Sequence, residues 1–207
     1  MNPKPHTANP SSLPKIALVG IGLVAILAGL FLYQHGHRPP ATEVATLLPT
    51  PKPLTAFELT SPQGSFTPND LKGHWSVLYF GYTHCPDVCP ATLSELATLF
   101  KSLPASSQLV FVSIDYLRDH ADQVDQYAHH FNPNFHGVTG TQAEINRITH
   151  SVGAIYAVEN TPDGGVSVDH SGALYLINPQ GEWVAVITPP FNLDAVARDL
   201  TALMKGS

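Results

Sequence analysis

The sequence predicts an α/β domain, a mixed sheet flanked by helices, behind an N-terminal transmembrane helix. Three observations carry this. Residues 16–33, IALVGIGLVAILAGLFLY, contain no charge and approach the roughly 20 apolar residues that cross a hydrocarbon core. Two continuous apolar runs, SVLYFGY (76–82) and QLVFVSID (108–115), read as strands buried on both faces, with helical patterns after each. The C-terminal part instead strings short β segments between turns before one last amphipathic helix.

The N-terminal run follows Lys15 and exceeds the roughly 7–15 apolar residues usual in a signal peptide. The following QHGHRPPATEV lacks a small-x-small cleavage pattern. An uncleaved anchor over 16–33 is the expectation. Lys4, Lys15 and the terminal amine precede it, and Arg38 and Lys52 follow. That bias favours a cytoplasmic N-terminus, residues 1–15, and an exported domain in the periplasm or an equivalent compartment. Residues 34–54 carry Pro39, Pro40, Pro49, Pro51 and Pro53. Such a stretch resists helix and sheet and reads as a stiff, extended tether, leaving 55–207 as the domain.

Within the domain, TAFELT (55–60) alternates as a first strand and SPQG (61–64) reads as a turn. After SVLYFGY and a cysteine-bearing loop, ATLSELATLFKSL (91–103) sets Leu93, Leu96, Leu99, Phe100 and Leu103 on one helical stripe. ADQVDQYAHHF (121–131) and TQAEINRITHSV (141–152) follow the second buried strand as helices. AIYAV (154–158), VSVDH (166–170), ALYLI (173–177) and EWVAVI (182–187) are the later strands. ENTPDGG and NPQG punctuate them, the latter with Pro at the second turn position. NLDAVARDLTALM (192–204) closes the chain, with Leu193, Val196, Ala197, Leu200 and Leu203 inward and Met204 a core residue. A strand–helix–strand half followed by a hairpin-and-helix half is the order of a thioredoxin-like sandwich.

The net charge of −6, with no run of Lys and Arg, excludes a nucleic-acid footprint, which requires clustered cations against phosphates. Eleven histidines against ten Lys plus Arg point modestly toward metal chemistry. The two cysteines, Cys85 and Cys89, both lie in GYTHCPDVCP (81–90). A disulfide closing so short a loop removes little unfolded-state entropy, so stability is a poor reason for the pair. The loop leaves a buried strand and enters a helix. Pro90 suits the first helical position, which makes Cys89 the expected N-cap, its sulfur at the positive end of the dipole. A protonated His84 pushes Cys85 the same way, so both sulfurs are expected to favour thiolate.

Three chemistries remain open for this pair. Inert buried thiols are disfavoured by the prolines and the helix entry. A redox dithiol, closing a Cys85–Cys89 disulfide when oxidised, ordinarily uses C-x-x-C, one residue shorter than this C-x-x-x-C. A metal site is the third: paired soft thiolates favour Cu(I), and an added imidazole also suits Cu(II). Structural zinc lacks its fourth ligand here. Among the histidines, His170 ends a strand whose Val166 and Val168 share its face. His84 and Asp87 are placed to tune the pair rather than to chelate. His129 and His130 sit at a helix end, and His74, His120, His136 and His150 read as surface or loop residues.

FGYTHCPDVCP (80–90), VSID (112–115), GVTGT (137–141) and DHSGALYLINPQGEW (169–183) together resemble the Sco/SenC family over most of residues 55–204. The resemblance implies a membrane-tethered, thioredoxin-like, copper-binding domain. Cys85 and Cys89 would be its sulfur ligands and His170 its nitrogen ligand. Members assist assembly of the copper centre of cytochrome c oxidase, which implies subunit II of the oxidase, and another copper carrier, as partners. Some members are argued to be thiol-disulfide reductases acting on oxidase cysteines, for which Cys85 and Cys89 would be the catalytic pair. A copper or redox sensor is a third role. One departure stands out: many relatives continue VSID with Pro-Glu-Arg-Asp, whereas this chain has Tyr116, Leu117, Arg118 and Asp119. The Thr-x-x-Cys arrangement of peroxiredoxins is absent, because Thr83 stands two before Cys85.

Overall fold

A computed structural model describes residues 15–36, 41–160 and 166–205. The expected N-terminal flank and the centre of the ENTPDGG turn lie outside these residues. The chain divides into two compact units after Pro39. The first contains helix α1 (Lys15–Gly36), whose described side chains run from 19 to 32 and are exposed. Among the described residues, no helix is long and apolar enough to cross a membrane.

The second unit is built on a six-stranded sheet in the order β1-β10-β9-β4-β5-β6. These strands are β1 (Thr46–Pro53), β4 (Trp75–Gly81), β5 (Ser107–Ser113), β6 (Phe135–Val138), β9 (Leu174–Ile177) and β10 (Glu182–Ile187). β4, β5 and β6 run parallel, while β9, β10 and β1 alternate antiparallel beyond β4. Every residue of β4 and β5 is buried, which explains why both read as unbroken apolar runs. The pleat sends Val77 and Tyr79 into one layer and Leu78 and Phe80 into the other.

The first layer holds α2 (Val88–Phe100), α3 (Ala121–Phe131) and α5 (Leu193–Lys205) through Leu93, Leu96, Val124, Ala128, Val196 and Leu200. Met204 is buried there, as expected. The second layer holds α4 (Gln142–Ser151) and two hairpins: β2 (Leu59–Ser61) with β3 (Gly64–Phe66), and β7 (Tyr156–Asn160) with β8 (Val166–His170). This is the expected sandwich of a mixed sheet between helices.

Three local expectations are corrected. The tether assigned to 34–54 does not extend to 54, because residues 46–53 form β1 and pair with β10. An edge strand needs only one hydrogen-bonded side, so its prolines are tolerated, and the register shifts between Leu47 and Lys52. The preceding backbone is also held: Asp199 of α5 accepts from the N–H groups of Glu43, Val44 and Ala45 at 2.8–3.0 Å. The first strand is shorter than TAFELT suggested, with pairing confined to 59–61. β6, unforeseen, is four residues long, and α3 crosses it so closely at Gly137 that a Cβ there would lie 2.3 Å from Val124 O.

Candidate metal centre

The cysteine loop leaves the carboxyl end of β4, a usual position for ligand sites in α/β sheets. Helix α2 begins at Val88 with Asp87, not Cys89, at its N-cap. The expected N-cap assignment for Cys89 is thereby corrected. Cys89 lies inside the first turn and is fully buried, while Cys85 on the loop is partly exposed. The burial follows from Gly81: a Cβ at that position would lie 2.8 Å from Cys89 Sγ and 2.7 Å from Phe111 Cε2. Only a residue without a side chain lets the sulfur settle against the strand.

Placing Cys89 inside changes its chemistry. Burial pushes its pKa up to about 12, against backbone donation from Tyr82 and a contact with Tyr79. For Cys85, burial also favours the neutral thiol, but the N–H groups of Cys89 and Asp87, with the Cys89 and Tyr82 side chains, outweigh it and lower the pKa. The Cys89 N–H to Cys85 Sγ distance is 3.3 Å. The expectation of two thiolate-prone sulfurs is therefore corrected to one. The helix N-terminus acts on Cys85, which its amides face, while the apolar layer acts on Cys89.

His170, at the end of β8, completes the cluster. Its Nε2 lies 3.4 Å from Cys89 Sγ, and single donor atoms of Cys85, Cys89 and His170 all lie within 4.8 Å of one another. Burial lowers the His170 pKa, with Asp169 opposing, so its ring is neutral at pH 7 and retains a lone pair for a ligand. Nδ1 accepts from the Gly172 N–H at 3.2 Å. Two thiol sulfurs and one imidazole form a donor set suited to copper. They open onto a pocket of about 510 Å³ that Pro86, Val88, Asp169 and Pro189 also line.

A second group supports the loop. Asp119, 4% exposed, accepts from Thr83 N–H at 2.9 Å, Thr83 Oγ1 at 2.6 Å and Ser113 Oγ at 2.5 Å. His84 Nδ1 lies 3.2 Å from Asp119 Oδ1. His84 thus faces the β5 side of the loop, away from the set formed by the two cysteines and His170. Asp87 is exposed at the helix entry and lines the pocket. Sequence reading marked the Tyr116–Asp119 turn only as a departure, and did not identify Asp119 as the residue fastening the cysteine loop. The remaining histidines named above, His74, His120, His129, His130, His136 and His150, lie on exposed positions.

A family model described as SCO1/SenC matches residues 48–205. The chain belongs to the SCO1/SenC family. It is 31% identical over 196 residues to a SCO2-like protein of Rickettsia felis, covering 92% of each chain. Among solved structures it resembles apo Sco1 from Thermus thermophilus, with a TM-score of 0.70 and 33% identity over 77% of this chain and 95% of that one. It also resembles Arabidopsis thaliana ScoI, solved with copper bound. That match has a TM-score of 0.69 and 31% identity over 74% of this chain and 98% of that one. The matched region begins at 48, within β1, which agrees with an edge strand belonging to the SCO1/SenC domain.

Proposed function

We propose that this SCO1/SenC protein is a membrane-anchored copper carrier rather than a turnover enzyme, with Cys85, Cys89 and His170 holding copper as cargo. The observation that carries the reading is the convergence of these three donors within 4.8 Å at the end of β4. A three-donor set at an open pocket suits transfer, because the incoming ligand of a recipient has room to join before the first donor leaves. The thiols are both the ligands and the oxidisable groups, so a Cys85–Cys89 disulfide would abolish binding and couple loading to redox state. The copper-bound relative supports copper as the metal. The recipient on this reading is the copper centre of cytochrome c oxidase, in subunit II, with another copper carrier as donor. The apolar run 16–33 would anchor the chain, and the positive flank at Lys4 and Lys15 would leave the domain in the periplasm or an equivalent compartment.

An anaerobic copper titration of the reduced chain, alongside Cys85→Ser, Cys89→Ser and His170→Ala, tests the reading. Binding by the wild type and its loss in all three variants is expected. Wild-type affinity and spectrum in His170→Ala would remove the nitrogen ligand from the assignment.

The unequal thiols favour a second reading, a thiol-disulfide oxidoreductase acting on oxidase cysteines. Cys85 is accessible with a lowered pKa and Cys89 is buried with a raised one, the division expected of an attacking and a resolving thiol. Reductase activity on that reading is lost in either Ser variant and kept in His170→Ala.

A further inference from the structure

Tyr79 and Tyr82 stand on either side of His170. Their rings meet the imidazole edge-on, with centroids 6.1 Å and 6.3 Å away and interplanar angles of 75° and 85°. Tyr79 and Cys89 lie in one buried cluster, against which Tyr82 and Cys85 pack, and Tyr82 lines the pocket beside Cys85 and His170. Tyr79 is fully buried, yet among the described residues its hydroxyl has no hydrogen-bond partner.

A buried hydroxyl without a partner destabilises a protein relative to the same ring without it. Packing alone therefore favours phenylalanine at 79, and the hydroxyl calls for an acceptor that appears in another state of the site. Metal loading supplies one, because ligating thiols must be deprotonated. Hydrogen bonds to an ionised acceptor are about twice as strong as neutral ones.

We propose that Tyr79 and Tyr82 are positioning residues for the copper cargo, donating one hydroxyl each to the Cys89 and Cys85 sulfurs of the loaded site and holding His170 between their ring edges. The inference rests on the copper reading of this site. Donation to a thiolate withdraws electron density from sulfur, and hydrogen bonding around a cysteine ligand is one of the ways a protein sets copper potential. The pair therefore favours Cu(I) over Cu(II).

The test uses the full reduced chain in detergent, titrated anaerobically with Cu(I) against a competing chelator. The sulfur-to-copper absorption band of the Cu(II) form is recorded separately. Tyr79→Phe and Tyr82→Phe are each expected to lower Cu(I) affinity by about 10-fold and to move the band to longer wavelength. Tyr127→Phe removes another buried, unpaired hydroxyl and is expected to leave both readouts at wild type. Metal-free Tyr79→Phe is expected to unfold no earlier than the wild type, which separates lost binding from lost fold. Unchanged affinity and band in both Phe variants, or an equal loss in Tyr127→Phe, overturn the proposal. A wild-type chain that takes up no copper overturns instead the reading on which it rests.

Discussion

Cys89 Sγ lies 3.4 Å from His170 Nε2 although 81 positions separate the two residues. Because Nδ1 accepts from the Gly172 N–H, the neutral ring carries its proton on Nε2, directed at the sulfur. Loading a metal at Nε2 displaces that proton, and the neutral ring then bears hydrogen on Nδ1. The Gly172 N–H loses its acceptor. The Gly172 amide is therefore expected to be among the most strongly shifted backbone signals on copper titration by NMR, together with those of Asp87 and Cys89, which face Cys85. An unmoved Gly172 amide in a loaded sample would place the metal elsewhere on the ring.

The cysteines should react at widely different pH. Against burial, the N–H groups of Cys89 and Asp87, which Cys89→Ser retains, lower the Cys85 pKa, so in that variant its alkylation rate should reach half-maximum at a lower pH than that of an ordinary thiol. Cys89, pushed up to about 12, should label negligibly between pH 6 and 9 in Cys85→Ser. Both rates rise with pH because the thiolate is the nucleophile. Equal labelling of the two variants would contradict the burial of Cys89.

Gly81→Ala adds a carbon within 3 Å of both Cys89 Sγ and Phe111 Cε2. Phe111 is fully buried and has no room to retreat. Overpacking of this kind costs about 1–3 kcal/mol, read as a lowered midpoint in thermal or denaturant unfolding. Because the displaced atom is a donor, copper affinity should fall along with stability. A variant with lowered stability and intact affinity would show that the sulfur keeps its place.

Asp119→Ala leaves Thr83 N–H and the Thr83 and Ser113 hydroxyls without their acceptor. Three lost bonds to a buried carboxylate should cost about 3 kcal/mol or more. Hydrogen exchange should accelerate at residues 82–85 while β9 and β10, on the other side of β4, remain protected. Uniform acceleration across the sheet would assign Asp119 to global stability instead of the loop.

Asp199→Ala should release the Glu43–Ala45 backbone and, with it, the edge strand β1, at a cost of about 2–4 kcal/mol. The wild-type contribution also depends on pH. Burial favours the protonated form of Asp199, but the N–H donors of Glu43, Ala45 and Val44 outweigh it and lower the pKa below 3.8. A depressed folded pKa means that the stabilisation is fully present above the unfolded value and is lost as pH falls through the folded one. Acid unfolding curves of wild type and Asp199→Ala should therefore converge below about pH 4. Parallel curves to pH 2 would exclude the carboxylate as their source.

Legibility in the sequence followed how local the cause was. β4 and β5 were readable because strands buried on both faces are apolar at every position. α3 and β10 were readable because an amphipathic helix or a short strand between turns carries its own period. β1 was not, since its prolines forbid an interior strand but not an edge, and edge status belongs to the sheet. β6 was not, since four residues including His136 and Gly137 carry too short a pattern.

For the candidate site, the sequence alone determined that two soft sulfurs sit at a strand-to-helix turn and that a histidine ends a later strand. Residue types and their spacing are local properties, and they sufficed to raise copper chemistry and a family resemblance. Tertiary structure alone decided which sulfur is buried, because that depends on the missing side chain of Gly81 and on Phe111 from another strand. It also decided the anchorage of the loop on Asp119. Those relationships arise where α2, the end of β5 and the β7–β8 hairpin converge on β4, and no period or spacing within one segment encodes them.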